Sequence, residues 1–280
     1  MIKKLIKILS IILLPVFLII FYLSLVGIKT EKFNERIINK ILQINKNINV
    51  DLRDVKFLLD PYNLTVKIST KDPIVQLGSN KLEIKELKTN ISLKSLFSKK
   101  FAVNDLQIST KLIKIDDLIL LVRSFKNSTQ LLLLDNFIQD GSLIADIKLE
   151  FDESGNIKKD YQITGFIKNF KLNFLNKIKV SNLSLEFDIK KKKYSFVKIK
   201  GIVNKIKLSS SLIEINQKKD KFFIGGNIQT DKKEFIRGQI STMTASFLKN
   251  PNIEKIKFSS ENNFSFNVNK KSKINDVRID

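Results

Sequence analysis

The chain has 280 residues, with 50 Lys and Arg against 28 Asp and Glu, a formal net charge of +22, and no His, Cys or Trp. Without His or Cys there is no Ser-His-Asp or Cys-His nucleophile pair, no His- or Cys-ligated zinc, no haem or iron–sulfur ligation and no disulfide framework. At 43% hydrophobic and 28% charged residues it is too apolar for a disordered protein and long enough for one large domain or two small ones, so a folded protein without catalytic machinery, metal or cofactor is expected.

The basic excess does not point to nucleic acid. Arg occurs only at Arg36, Arg53, Arg123, Arg237 and Arg278, whereas phosphate and base recognition favours the bidentate Arg fork. The lysines are spread along a chain rich in Ile and Asn, the mixture an AT-rich genome produces. They suit a general attraction to acidic membrane surfaces better than a nucleic-acid partner.

In chain order, residues 1–7 form a short basic segment with Lys3, Lys4 and Lys7. Ile8 to Ile28 then runs without a charge, long enough to cross a hydrocarbon core of ~30 Å as a helix, with Pro15 inside. A cleavable signal peptide is the alternative, but its apolar region is usually ~7–15 residues and small residues precede the cut, whereas cleavage after Gly27 would put Leu25 three residues before it. A retained anchor is the preferred reading. Lys3, Lys4, Lys7 and the amino terminus outweigh Lys29 and Lys32, which places the N-terminus in the cytoplasm and the rest across the membrane.

Residues 29–46 read as an amphipathic helix, since Phe33, Ile37, Ile41 and Ile44, joined by Ile38 and Leu42, make one apolar stripe. From Val50 the period changes to two. Leu64/Val66/Ile68, Leu82/Ile84, Ile91/Leu93, Leu143/Ala145/Ile147/Leu149/Phe151, Leu183/Leu185/Phe187/Ile189, Phe222/Ile224/Gly226/Ile228 and Phe264/Phe266/Val268 alternate with polar residues. Such alternation predicts antiparallel strands with one wet face. Turns are expected at Asp60-Pro-Tyr-Asn63, Asp72-Pro73, Gly78-Ser-Asn80, Asp152-Glu-Ser-Gly-Asn156 and Lys190 to Lys193. Asp152, Ser154 and Asn156 have the spacing that opens a calcium loop, but the Gly and distal Glu are missing at the required offsets, so a hairpin tip is the reading. A helical insertion is expected near 116–137. In it Leu118, Leu121, Val122 and Phe125 form a stripe and Asp116 or Asp117 serves as N-cap rather than as a catalytic carboxylate pair.

An N-terminal anchor and amphipathic helix followed by Asn49-Val-Asp-Leu-Arg-Asp-Val-Lys-Phe57, Asp60-Pro-Tyr-Asn-Leu64, Asp72-Pro-Ile74, Ile91-Ser-Leu-Lys-Ser-Leu96 and Ile113-Lys-Ile-Asp-Asp-Leu118 resembles the start of proteins of the AsmA-like superfamily. The motifs reach to about Phe125, and the strand succession, including Tyr161-Gln-Ile-Thr-Gly-Phe166, carries the likeness onward. The resemblance implies a Gram-negative inner-membrane protein whose periplasmic antiparallel sheet, here residues 47–280, curves into an elongated apolar groove that carries phospholipid toward the outer membrane. Such proteins are usually much longer, so a truncated chain or an element completed by a partner is expected. In that reading Leu143, Ile147, Leu149, Leu183, Leu185, Phe187, Phe222 and Ile224 line the groove and bury acyl methylenes at ~0.8 kcal/mol each. The partners are then phospholipid and the inner membrane. The alternative is a non-catalytic scaffold for the outer envelope, whose strand faces close on themselves and whose C-terminal sheet edge recruits an envelope protein by strand addition.

Overall fold

The computed structural model describes residues 2–32, 34–35, 38–39, 48–77, 80–94, 103–125, 132, 135–158, 160–174, 177–218, 221–236, 255–269 and 273–280. Among these the chain is mainly β, with sixteen strands in an antiparallel arrangement and few helices. Two compact units emerge. One comprises Met1–Leu132 and Leu143–Gly165, the other Leu133–Ser142 and Phe166–Asp280.

The first unit opens on helix α1 (Ile2–Leu25), with Pro15 inside it. The helix ends three residues before the expected apolar span does. Gly27 turns the chain at a φ of 73° and Ile28 already belongs to strand β1 (Ile28–Thr30). Along the part of α1 whose side chains are described, Leu13, Leu14, Phe17, Leu18, Ile19 and Phe21 are all exposed. Among the described residues, no helix is long and apolar enough to cross a membrane. The amphipathic helix expected over 29–46 falls largely outside the described residues, but Thr30 is in β1 rather than in that helix. Asn34 donates its amide to the carbonyl of Arg53 at 2.6 Å, and Ile38 packs on the core.

That core is small and enclosed. Strands β2 (Ile48–Asp51), β3 (Val55–Asp60), β4 (Thr65–Lys71), β5 (Ile74–Leu77) and β6 (Asn80–Ser92) bring together Val50, Leu52 and Val55, which are 5%, 4% and 1% exposed, with Phe57, Ile68 and Val75 against them. The buried hydroxyl of Thr70 donates to the carbonyl of Leu52, so that polar side chain is satisfied beside the cluster. Strand β1 pairs with β3, β3 with β4 and β4 with β6, while β2 pairs with β5 and β5 with β6. The single strand β6 joins what the sequence divides into Leu82/Ile84 and Ile91/Leu93. It pairs with β5 over Asn80–Glu83 and with β4 over Glu86–Ser92, and a register shift after Ile84 changes which alternate residues face inward. The turns at Asp60–Asn63 and Asp152–Asn156 form as expected, each held by its aspartate accepting backbone hydrogen bonds.

Strand β7 (Val103–Thr110) continues the order, β8 (Ile113–Lys114) leads into helix α2 (Ile115–Phe125), and β9 (Ile138–Glu150) pairs with β7. Because α2 starts at Ile115 directly after β8, Asp116 and Asp117 stand within its first turn. They complement the positive helix end from inside instead of capping it. Among the residues of this helix whose burial is described, Ile115 and Ile119, one helical turn apart, are buried and Leu118 is half-buried; Leu121, Val122 and Phe125 of the expected stripe lie outside that description. Much of the expected insertion beyond Phe125 lies outside the described residues.

The second unit is a meander of long strands: β10 (Gln162–Phe174), shared between the units, then β11 (Ile178–Lys190), β12 (Lys193–Val203), β13 (Ile206–Lys218), β14 (Lys221–Ile236), β15 (Lys255–Asn269) and β16 (Ile274–Ile279), neighbours in sequence being neighbours in the sheet. Its burial differs from that of the first unit. Among the described residues past Phe166, only Ile206 joins the buried hydrophobic set, while Ser210 and Asn267 are buried polar residues.

Truncating Leu52 to Ala should therefore cost about 2–5 kcal/mol and act on the first unit alone. In hydrogen exchange of the full chain, protection should fall across β2 to β6 and stay unchanged across β11 to β15. A charge test is available in the same unit. The Lys111 ammonium, 2.9 Å from Asp72, holds that carboxyl below its usual range, so its stabilising effect is present above the ordinary carboxylate range near pH 4 and is lost as pH falls through the lowered value. In Lys111→Gln the NMR titration midpoint of Asp72 should move upward.

Candidate apolar binding face

Directly paired residues share a face of an antiparallel sheet, so the strand registers of the second unit define which side chains lie together. One row runs Ile189, Tyr194, Ile215, Ile224 and Phe266 across five successive strands. The adjacent row runs Phe187, Phe196, Ile213, Gly226, Phe264 and Ile279. Nearer the turns, Phe222 pairs with Val268 and Val268 with Ile274. The large side chains of these rows up to β15 are half-buried or, for Val268 and its neighbours, close to it, while none of the row-forming Phe, Tyr or Ile residues is enclosed as Val55 is.

The face stays apolar only because the strands carry β-bulges, each inserting one extra residue. Asn182 and Leu183 of β11 stand opposite Gly201, and Lys198 and Ile199 of β12 stand opposite Leu185. Both Asn182 and Lys198 adopt positive φ, at 51° and 52°. The second bulge restores the register that the first displaced. It also switches the apolar set of β12 from Tyr194 and Phe196 to Ile199, Gly201 and Val203. In β13 the extra residue falls among Ser210, Ser211 and Leu212, opposite Asn227 and Ile228, and the apolar set switches from Ile206 and Leu208 to Ile213 and Ile215. The side-chain carbonyl of Asn227 accepts from the amides of Ser211 and Leu212 and from both serine hydroxyls, at 2.9–3.2 Å, so the freed backbone donors of the bulge are satisfied.

The sequence-derived residues divide between the units. Leu143 is 6% exposed and belongs to the enclosed interior of the first unit, where Ile147 pairs with Ile108 and Leu149 with Leu106 as half-buried neighbours. Phe187, Phe222 and Ile224 come together on the face just described. Leu185 and Leu183 lie farther from the Lys190–Lys193 turn, where the rows become more polar: Leu208 pairs with Thr230, and Thr230 with Ser260, whose hydroxyls are 3.1 Å apart. A smaller apolar group of Val180, Val203 and Ile206 ends that side. Tyr194, Phe196, Ile213 and Ile215 complete the face and were absent from the sequence-derived set. The signal for them is the aromatic and β-branched content of β12 and β13, obscured because the bulges break the strict alternation.

The opposite face of β13 to β16 holds an open depression of 520 Å³ bounded by Leu212, Glu214, Phe223, Asn267, Asp276 and Arg278. Its lining is mixed, with Leu212 and Phe223 beside Glu214, Asn216, Asp276 and Arg278. Lys193 lies 2.7 Å from Glu214 and lowers its carboxyl pKa, with a lesser contribution from the Ser195 hydroxyl. Asn267 donates its amide to Asp276 across the β16 bulge.

No family, curated protein or solved structure matches this chain. The likeness to AsmA-like proteins therefore rests on the order of its sequence phrases.

Two adjacent glycines provide a test of how the face is built. A Cβ on Gly226 would lie 2.4 Å from the carbonyl oxygen of Leu212 and 2.9 Å from the Cα of Ile213, whereas one on Gly225 would meet nothing nearer than 3.5 Å. Gly226→Ala should cost about 2 kcal/mol or more, and Gly225→Ala should be neutral or stabilising by up to about 1 kcal/mol. Urea unfolding of the two variants reads the difference.

Proposed function

We propose that this is a membrane-anchored periplasmic protein of AsmA-like character that holds phospholipid by its acyl chains on the apolar face of the second unit and passes it toward the outer membrane. The observation that carries the reading is the contrast in burial: among the described residues every buried hydrophobic side chain except Ile206 lies in the first unit, whereas the second presents continuous rows of Ile, Phe and Tyr that are only half-buried. A flexible acyl chain suits such a face, because each methylene removed from water gains ~0.8 kcal/mol without requiring directional contacts. Among the described residues no helix is long and apolar enough to cross a membrane, so the anchor rests on the sequence: the uncharged run from Ile8 to Ile28, with the basic residues Lys3, Lys4 and Lys7 on the cytoplasmic side. The function needs no catalytic group.

A second reading has its own observation. Strand β16 borders the sheet among the described residues, and its Ile274, Val277 and Ile279 are 57%, 59% and 67% exposed. An envelope protein adding a strand there would cover them, which favours a scaffold role.

Native mass spectrometry of the full chain, extracted gently and checked against detergent carry-over, separates the two. Lipid holding predicts phospholipid at a reproducible ratio, reduced at least fivefold in Phe187→Asp and Ile224→Asp while circular dichroism retains the β spectrum. A folded chain free of lipid would refute lipid holding and leave the edge-mediated scaffold.

A further inference from the structure

The turns at one end of the second unit are all lysine-rich. The β11–β12 turn carries Lys190, Lys191, Lys192 and Lys193, the β13–β14 turn is bounded by Lys218 and Lys221, and Lys273 precedes β16; every one of these is exposed. Since every second turn of a meander falls at the same end, and strands lie ~4.8 Å apart, successive tips stand about 10 Å apart along that end. Two of the hairpins close on lysines set directly opposite each other, Lys190 with Lys193 and Lys218 with Lys221. Like charges in that position destabilise a hairpin. Asp188 pairs with Lys190 and Glu214 with Lys193, at 2.7 Å each, which compensates the first of the two hairpins.

Immediately behind the tips lie the densest apolar rows of the sheet. Phe222 and Phe223 follow Lys221 directly and face opposite sides, with Phe223 40% exposed and the Lys218 ammonium 5.6 Å from its ring centre. Ile189, Tyr194, Ile215, Ile224 and Phe266 form the next unbroken row. A line of ammonium groups followed within one or two residues by aromatic rings is the arrangement that suits a bilayer interface, where phosphates meet the cations and the rings sit at headgroup depth. The far end of the same unit is also basic, at Lys177, Lys179, Lys205 and Lys207, and carries exposed Phe174 and Ile178 with the smaller group Val180, Val203 and Ile206, but the next row inward turns polar at Thr230 and Ser260 instead of continuing across the sheet.

We infer that the lysine-tipped end of the second unit docks on an anionic phospholipid surface, placing the apolar face where an acyl chain can pass between bilayer and protein. The inference rests on the lipid-holding reading for its purpose and on the geometry of the tips for its location. The bilayer it meets is distinct from the one that holds α1 in the experiment below.

The test uses the full chain held in phosphatidylcholine nanodiscs and measures its association with separate vesicles, either pure phosphatidylcholine or the same with phosphatidylglycerol. The expected result is at least tenfold tighter association with the anionic vesicles, weakened by salt. Replacing Lys191, Lys192, Lys218, Lys221 and Lys273 with Gln should weaken it at least thirtyfold, and Phe223→Ala severalfold. The same number of charges removed at Lys177, Lys179, Lys200, Lys205 and Lys207 should change it less than threefold. Equal loss in both sets, which would mean attraction by net charge alone, or equal binding to neutral and anionic vesicles, overturns the docking end. Mass spectrometry of bound phospholipid on the same samples keeps the two readings apart. A tip variant that carries lipid but does not dock supports the assignment, whereas a wild-type chain that docks without carrying lipid leaves the docking end standing and refutes lipid holding.

Discussion

Keeping one face apolar while the pairing register slips is the constraint on which the second unit depends. A sheet strand presents alternate residues to opposite sides, so a single extra residue moves everything beyond it to the other face. The strands solve this locally. Where β12 gains a residue at Lys198 its apolar positions change parity, and where β13 gains one near Ser211 its positions change parity as well. The residues follow the bulge, and the rows from Ile189 to Phe266 continue unbroken. Asn227 and Gly226 make the β13 bulge physically possible, the first by accepting the freed donors and the second by having no Cβ where the backbone of Leu212 comes close.

The first unit follows a different economy. Its strands are shorter, and the β2–β5–β6 ladder beside the main sheet lets Val50, Leu52 and Val55 be covered from several directions. Enclosure of that kind stabilises a fold and withdraws those three side chains from any ligand. The two units thus share a strand grammar and differ in what covers the apolar side, and this difference gives the lipid-holding reading its location in the chain.

Much of the fold was legible where alternation is uninterrupted. Leu183 to Ile189, Phe222 to Ile228 and Phe264 to Val268 announce β11, β14 and β15 directly, and Lys190 to Lys193 announces the turn after the first of them. The site was half legible for the same reason. Phe187 lies in the unbroken alternation Leu183 to Ile189 that follows the β11 bulge, and Phe222 and Ile224 precede the irregularity of β14, whereas the alternation of β13 is broken midway through Ser209-Ser-Ser-Leu-Ile, just before Ile213 and Ile215. Pairing partners determine the phase there, and those lie in other strands. Division into two units was equally unreadable, because the boundary falls within the long strands β9 and β10 and no Gly-Pro linker marks it. Helix α2 was legible as a helix, but its start was set by β8 ending at Lys114, which moves both aspartates inward.

The junction after α1 has a mechanical consequence. Only Val26 and Gly27 separate the helix from β1, and two residues span at most about 7 Å. Gly27 is itself wedged beside the carbonyl of Phe57, where any Cβ would collide, and Ile28 to Thr30 are hydrogen-bonded along β3. There is no tether on which the sheet could swing. A tilt of the helix is passed to β3 as torque, and a pull along the helix loads a three-residue strand whose bonds must either hold together or peel in sequence.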